Sequence, residues 1–200
     1  MGLGSGVEPR EMLFEPSADR VVGVWFTSDT HFGHKRMLDF RPFATTGEMD
    51  DALIANWNER VRKGDRVYHL GDFSFSNRER TAEIIRRLNG QIHLVKGNHD
   101  KMLDRLSPMF ASFQDYKTIK VDGQRIVLFH YAMRTWDMSH YGSWSLFGHS
   151  HGNLADDPNA FSMDVGVDPN GLAPVAFEEI RERMAARVFV PVDHHRARRG

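Results

Sequence analysis

The sequence predicts an α/β fold with two sheets, a parallel first one and a second, strand-rich one packed on it. In the first half, short apolar runs alternate with helical patterns in the order strand, helix, strand, helix, strand. That order argues parallel pairing through right-handed crossovers. In the second half strands outnumber helices, and Asp122-Gly123 joins two of them with a two-residue hairpin signal. A length of 200 residues, 40% of them hydrophobic, fits one domain with a real core.

The elements follow in order. Residues 1–18 are rich in Gly, Glu and Pro without periodicity and read as a loose leader. A single domain is expected over 19–190 and a basic tail over 191–200, where His194 and His195 sit. The apolar run Val21–Ser28 predicts a buried strand. Over 47–61 the helical spacing of Met49, Leu53, Ile54, Trp57 and Val61 predicts an amphipathic helix with Thr46 as N-cap. Residues 65–70 predict a second strand, 78–88 a helix stopped by Asn89-Gly90, and 91–96 a third strand. Strands are then expected over 116–121, 124–130, 143–147 and 161–167, and a last helix over 177–186.

Composition narrows the function classes. With 26 basic and 27 acidic residues the net charge is −1, less basic than expected of a protein that grips long nucleic acid by its backbone. Nucleic acid is therefore the less favoured substrate. The chain has no cysteine, so any metal must be held by imidazole, carboxylate or amide. No apolar run reaches the length of a membrane span and the first residues lack a secretory pattern. The expectation is a cytoplasmic protein with no membrane partner, its oligomeric state unread.

Five polar motifs stand at the ends of strand-like runs. They are Asp29-Thr30-His31, Gly71-Asp72, Gly97-Asn98-His99-Asp100, His130, and Gly148-His149-Ser150-His151. Side chains at the carboxyl ends of strands converge on one crevice in open α/β folds. Asp29 and His31, two residues apart, would point the same way on an extended segment, and His149 and His151 repeat the arrangement. Oxygen donors and imidazoles in this number form a ligand set for two adjacent divalent ions. Such pairs activate water for attack on phosphate esters.

The chain resembles the calcineurin-like metallophosphoesterases, whose motifs D-x-H, G-D, G-N-H-[DE], a lone H and G-H-x-H all occur here in order between residues 29 and 151. Two segments, Ser28–His34 and Asp164–Gly171, further resemble a bacterial and phage branch of small, stand-alone phosphoesterases. The resemblance implies a four-layer αββα sandwich, two packed mixed sheets flanked by helices. It implies one metal on Asp29, His31 and His151, a second on Asn98, His130 and His149, and Asp72 bridging the ions at roughly 3.5–4 Å. His99 would stabilise the phosphoryl oxygens and protonate the leaving group, with Asp100 orienting its ring. Some members of the fold lack that histidine and act as scaffolds; here it is present.

The expected activity is thus metal-dependent phosphoester hydrolysis, a phosphodiesterase first. Its alternatives are a nuclease on DNA or RNA ends and a non-catalytic metal-binding interaction module. Two divalent ions are the expected cofactors, Mn2+ ahead of Fe2+, Zn2+ or Ni2+. A phosphate-ester small molecule or nucleotide is the expected substrate. His34 and His140 are candidates for contacting it, with a loop-ordering hydrogen bond as the alternative for His34. Arg41, ahead of Pro42, suggests a fixed turn. His69 and His93, inside strands, read as core histidines. Trp57 reads as core, and Trp136 as core in preference to a pocket wall.

Overall fold

The computed structural model describes residues 22–193; the leader 1–18, His194 and His195 lie outside them. The first sheet contains β1 (Val24–Thr27), β2 (Arg66–His69), β3 (Gln91–Val95), β4 (Ser112–Gln114) and β9 (Val175–Ala176), in the order β4-β3-β2-β1-β9. Its first four strands are parallel and β9 is antiparallel to β1. The second sheet, β5 (Tyr116–Val121), β6 (Gln124–Phe129), β7 (Trp144–Phe147) and β8 (Ser162–Asp164), runs in sequence order. Only its β5–β6 pair is antiparallel. Both sheets are therefore mixed, and with the flanking helices they make the four-layer sandwich.

Strand alternation divides the core in two. One face of the first sheet presents Val67, Ile92 and Leu94 to α1 (Thr46–Arg60) and α2 (Arg78–Arg87). There Met49, Leu53, Ile54 and Trp57 of α1 meet Ile84 and Ile85 of α2. The other face presents Val24, Phe26, Tyr68 and Val95 to Ile126, Leu128, Leu146 and Met163 of the second sheet. The last helix, α3 (Phe177–Ala185), adds Phe177, Ile180 and Met184 to this second cluster. Side chains that alternate between faces with period 2, both faces being buried, are what let one sheet serve two cores.

Local chemistry accounts for the element ends. Thr45, not Thr46, caps α1: its hydroxyl accepts from Glu48 N (3.1 Å), while Glu48 accepts from Ala44 N. A capping residue lies three before its glutamate, which places the cap one residue earlier than expected. Asn77 caps α2 through Arg80 N, and Arg86 and Arg87 face its C-terminal dipole end. Asp122 and Gly123 both have positive φ (46° and 85°), the turn that matches strand twist. The 3-10 helix Asp100–Met109, β4 and β9 were not expected. They are short or irregular, and their ladder and packing partners lie far away in sequence.

The expected core residues are placed as such. Trp57 is 1% exposed and donates its indole N–H to the Asn89 carbonyl. His69 is fully buried, bonded to Thr30 Oγ1 and accepting from Gly71 N. His93 is half-buried against Ser112 Oγ. Trp136 differs: it helps line a cavity of about 970 Å³ with Met133, Phe147, Leu154 and Phe189. Its indole N–H donates to the Ser143 carbonyl. It is a pocket wall because it lies in the loop between β6 and β7, outside both buried clusters.

Candidate metal centre

All five motifs meet at one end of the two sheets. Asp29 follows β1, Asp72 follows β2, Asn98 and His99 follow β3, His130 follows β6, and His149 and His151 follow β7. Backbone hydrogen bonds lace the loops together. Asp29 N donates to Gly71 O (2.9 Å), His31 N to Asp72 O (3.0 Å) and Gly148 N to His130 O (3.0 Å). The Asp29 carboxylate accepts from His149 N at 2.8 Å, tying the first motif to the last.

The convergence is not made by extended backbone. Asp29, His31, Asp72, His149 and His151 all have positive φ, between 48° and 67°. The same-side reading from an extended D-x-H and H-x-H is therefore corrected: left-handed turns aim these side chains. Asp and His are among the residues enriched in that region, yet strained backbone of this kind costs about 1–3 kcal/mol per residue. The motif glycines exist for close approach. A Cβ at Gly71 would run into the Gly97 backbone and the His130 ring, and one at Gly148 into Ser28 and the Asp29 carboxylate.

Two groups of potential metal donors result: Asp29, His31 and His151, and Asp72, His130 and His149. Within each, the donor atoms lie within 4.8 Å of one another. Asp72 Oδ2 sits between the groups, 3.7 Å from His31 Nε2 and 3.6 Å from His130 Nε2. Asn98 Oδ1 is 3.0 Å from His130 Nε2. The fit to cations is testable on buried atoms. Asp29 Oδ1 is buried and has no hydrogen-bond partner among the described residues; His31 Nε2 and His151 Nε2 stand 3.8 and 3.9 Å away. A buried carboxylate oxygen facing two imidazole nitrogens without a donor is a costly arrangement that a cation resolves.

Electrostatics agree. Burial pushes the Asp29 carboxyl up to about 7, with Asp72 adding to it. Burial, then the neighbouring His151, pushes His31 down to about 2, so its ring is neutral and able to ligate. Burial also lowers His130, whose Nδ1 donates to the Leu70 carbonyl (2.7 Å) and leaves Nε2 toward the centre.

Two supports were not expected. Asp168 Oδ2 accepts from His151 Nδ1 at 2.6 Å, which turns His151 Nε2 inward. Arg41, 4% exposed, donates to both Asp168 oxygens (2.7 and 2.9 Å) and to the carbonyls of Asp29 and Thr30 (2.8 Å each). Burial alone would raise Asp168, but the Arg41 and His151 hydrogen bonds hold it at about 2. The segment Asp164–Gly171 was the available signal, though nothing in it said which carboxylate would reach His151.

Asp100 is a correction. Its fully buried carboxylate accepts from Asp72 N (2.7 Å), Gly97 N (2.8 Å) and Phe73 N (2.9 Å). With those three backbone donors it braces the Asp72 loop instead of orienting the His99 ring. His99 is exposed, its backbone N donating to Asp72 Oδ1 (3.0 Å) and its ring 6.1 Å from that of His31. His34 lies at the rim, stacked on Phe75 at 3.7 Å and 5.4 Å from His31; its Nδ1 has no hydrogen-bond partner among the described residues. His140 is placed with Tyr141 (4.1 Å between rings) and Asp193 (4.0 Å).

A two-sheet sandwich whose strand-end loops gather paired carboxylate and imidazole groups is the architecture of a metal-dependent phosphoesterase. The chain belongs to the calcineurin-like phosphoesterase superfamily, whose domain profile matches residues 23–162. It is 32% identical to an uncharacterized protein of Methanocaldococcus jannaschii over 166 residues, 78% of this chain and 88% of that protein. It is 29% identical to the gene 66 protein of Mycobacterium phage D29 over 191 residues, 80% of this chain and 94% of that protein. A protein of unknown function from Aquifex aeolicus superposes with a TM-score of 0.67 at 27% identity, covering 80% of this chain and 98% of that one. Divalent metals are the superfamily's cofactors. Among the described residues no helix is long and apolar enough to cross a membrane.

Proposed function

We propose that the chain is a phosphodiesterase with two divalent ions, Mn2+ first, one held by Asp29, His31 and His151 and one by Asn98, His130 and His149. Asp72 would serve both. The observation that carries this reading is the Asp72 carboxylate oxygen, 3.7 Å from one imidazole group and 3.6 Å from the other. Bound ions would supply Lewis-acid polarisation of the phosphoryl group and a nucleophilic oxygen ionised near neutral pH. His99, on the rim and tethered through its backbone to Asp72, holds the proton that the departing oxygen takes. Asp168 and Arg41 keep His151 in one tautomer, and Asp100 keeps the Asp72 loop in place.

The experiment is a metal screen with an activated aryl phosphodiester, followed by His99→Ala. Turnover should appear with Mn2+ and vanish with a chelator. The variant should lose about 10²–10⁴-fold in kcat while binding the same number of ions. Absence of turnover with Mn2+, Fe2+, Zn2+ and Ni2+ would overturn the reading. Equal loss of metal and rate in His99→Ala would remove His99 from the acid role.

A further inference from the structure

Two half-exposed aromatic rings border the centre, one at each end, and neither belongs to a motif. Phe75, 37% exposed, has its ring 5.3 Å from His31 and 4.7 Å from His99, with His34 stacked on it. Tyr131, 39% exposed, has its ring 4.6 Å from His149 and 4.9 Å from His130. Phe75 thus edges the Asp29–His31–His151 group and Tyr131 the Asp72–His130–His149 group. Large rings left in water beside a polar cluster are surfaces that a planar organic group can cover.

We propose that Phe75 and Tyr131 determine specificity by packing against the two ester arms of a phosphodiester whose arms carry planar groups, aryl or nucleoside, Tyr131 by stacking and Phe75 through the part of its ring that His34 leaves open. The proposal rests on the phosphodiesterase reading of the same site. His99 assigns the sides. Its ring packs on Phe75, so the oxygen it protonates departs along Phe75, and the arm that stays on phosphorus lies along Tyr131. In the balanced step, water oxygen bonds to phosphorus and gives up one proton to solvent, from which His99 is later reprotonated, and the bond from phosphorus to the departing oxygen breaks. The departing oxygen takes the His99 proton, and the products are an alcohol or phenol and a monoester of the retained arm. A phosphate monoester has no second arm and leaves Tyr131 uncovered.

The test uses Mn2+-loaded full-length protein and two substrates with the same leaving group, bis(p-nitrophenyl) phosphate and methyl p-nitrophenyl phosphate. The wild type should favour the bis-aryl ester in kcat/KM by about tenfold beyond the ratio of the uncatalysed rates, the scale of one stacking contact. Tyr131→Leu should bring the ratio of the two esters' kcat/KM down to that of the uncatalysed rates with metal content unchanged, and Tyr131→Phe should keep the preference. Phe75→Leu should lower kcat/KM for both esters by a similar factor with metal content unchanged. A Tyr131→Leu ratio equal to the wild type's, or loss of metal in that variant, overturns the proposal and leaves the phosphodiesterase reading standing. No turnover of either ester by the wild type with any of the four metals overturns both.

Discussion

The two donor groups of the centre are built differently. The Asp29 side is braced: Asp29 and His31 are buried, and His151 is held by an Asp168 that is itself clamped by buried Arg41. The other side buries Asp72 and His130 but leaves His149 and Asn98 exposed. Preorganised, desolvated donors lose less entropy on binding and keep competing water out, whereas exposed ones must be ordered by the ion. The difference teaches that one end should hold its metal tightly and the other exchange it, although both use the same residue types.

The largest expected effect comes from removing what the two ends share. Asp72→Ala should bring metal content toward zero and abolish turnover, measured by elemental analysis and assay together. If one equivalent stays bound, Asp72 is not shared. Asp168→Asn should weaken the braced site by about 10–100-fold, the usual cost of losing a carboxylate behind a ligating histidine. Titration calorimetry would then show the tighter of two phases moving toward the weaker one. Asn98→Ala should instead weaken only the weaker phase. If both variants move the same phase, the asymmetry is wrong.

The last effect is in pH dependence and is read in the metal-free protein. The folded, metal-free protein holds the Asp29 proton more tightly than the unfolded chain, since burial raises its pKa from 3.8 to about 7. That contribution to stability is fully present below 3.8 and is lost as pH rises through about 7. The melting temperature of chelated protein should therefore carry a component that falls between pH 4 and 7.5. Mn2+ should restore it, with affinity rising up to about pH 7 as the competing proton leaves. Asp29→Asn should remove this component, and an unchanged pH profile in that variant would assign it to another group.

Much of the fold was legible because its signals are local. The apolar runs of β1, β2 and β3, the capped helices and the Asp122-Gly123 turn each depend on neighbours in sequence. β9 was not legible, since two residues carry no period and exist as a strand only through β1. In the site, the positions of Asp29, His31, Asp72, His130, His149 and His151 followed from strand ends, and the structure gathers them. The role of Asp100 did not follow: adjacency to His99 suggested a ring partner, whereas the backbone N–H groups of distant Asp72 and Phe73, with that of nearby Gly97, claimed the carboxylate. Phe75 and Tyr131 carried no signal, because exposure beside a site is a property of the surface and not of the chain.

By itself the sequence determined the chemistry on offer: a cysteine-free set of carboxylates, imidazoles and an amide, delivered at the ends of strands. Only the tertiary structure decided the left-handed turns that aim them and the Arg41–Asp168 brace behind His151. It also decided the unequal burial of the two ends. Residue type and strand position are local properties, but φ at Asp29, or the partner of Asp168, is set by what 40 to 130 intervening residues bring alongside, by a rough count of the loops joined here.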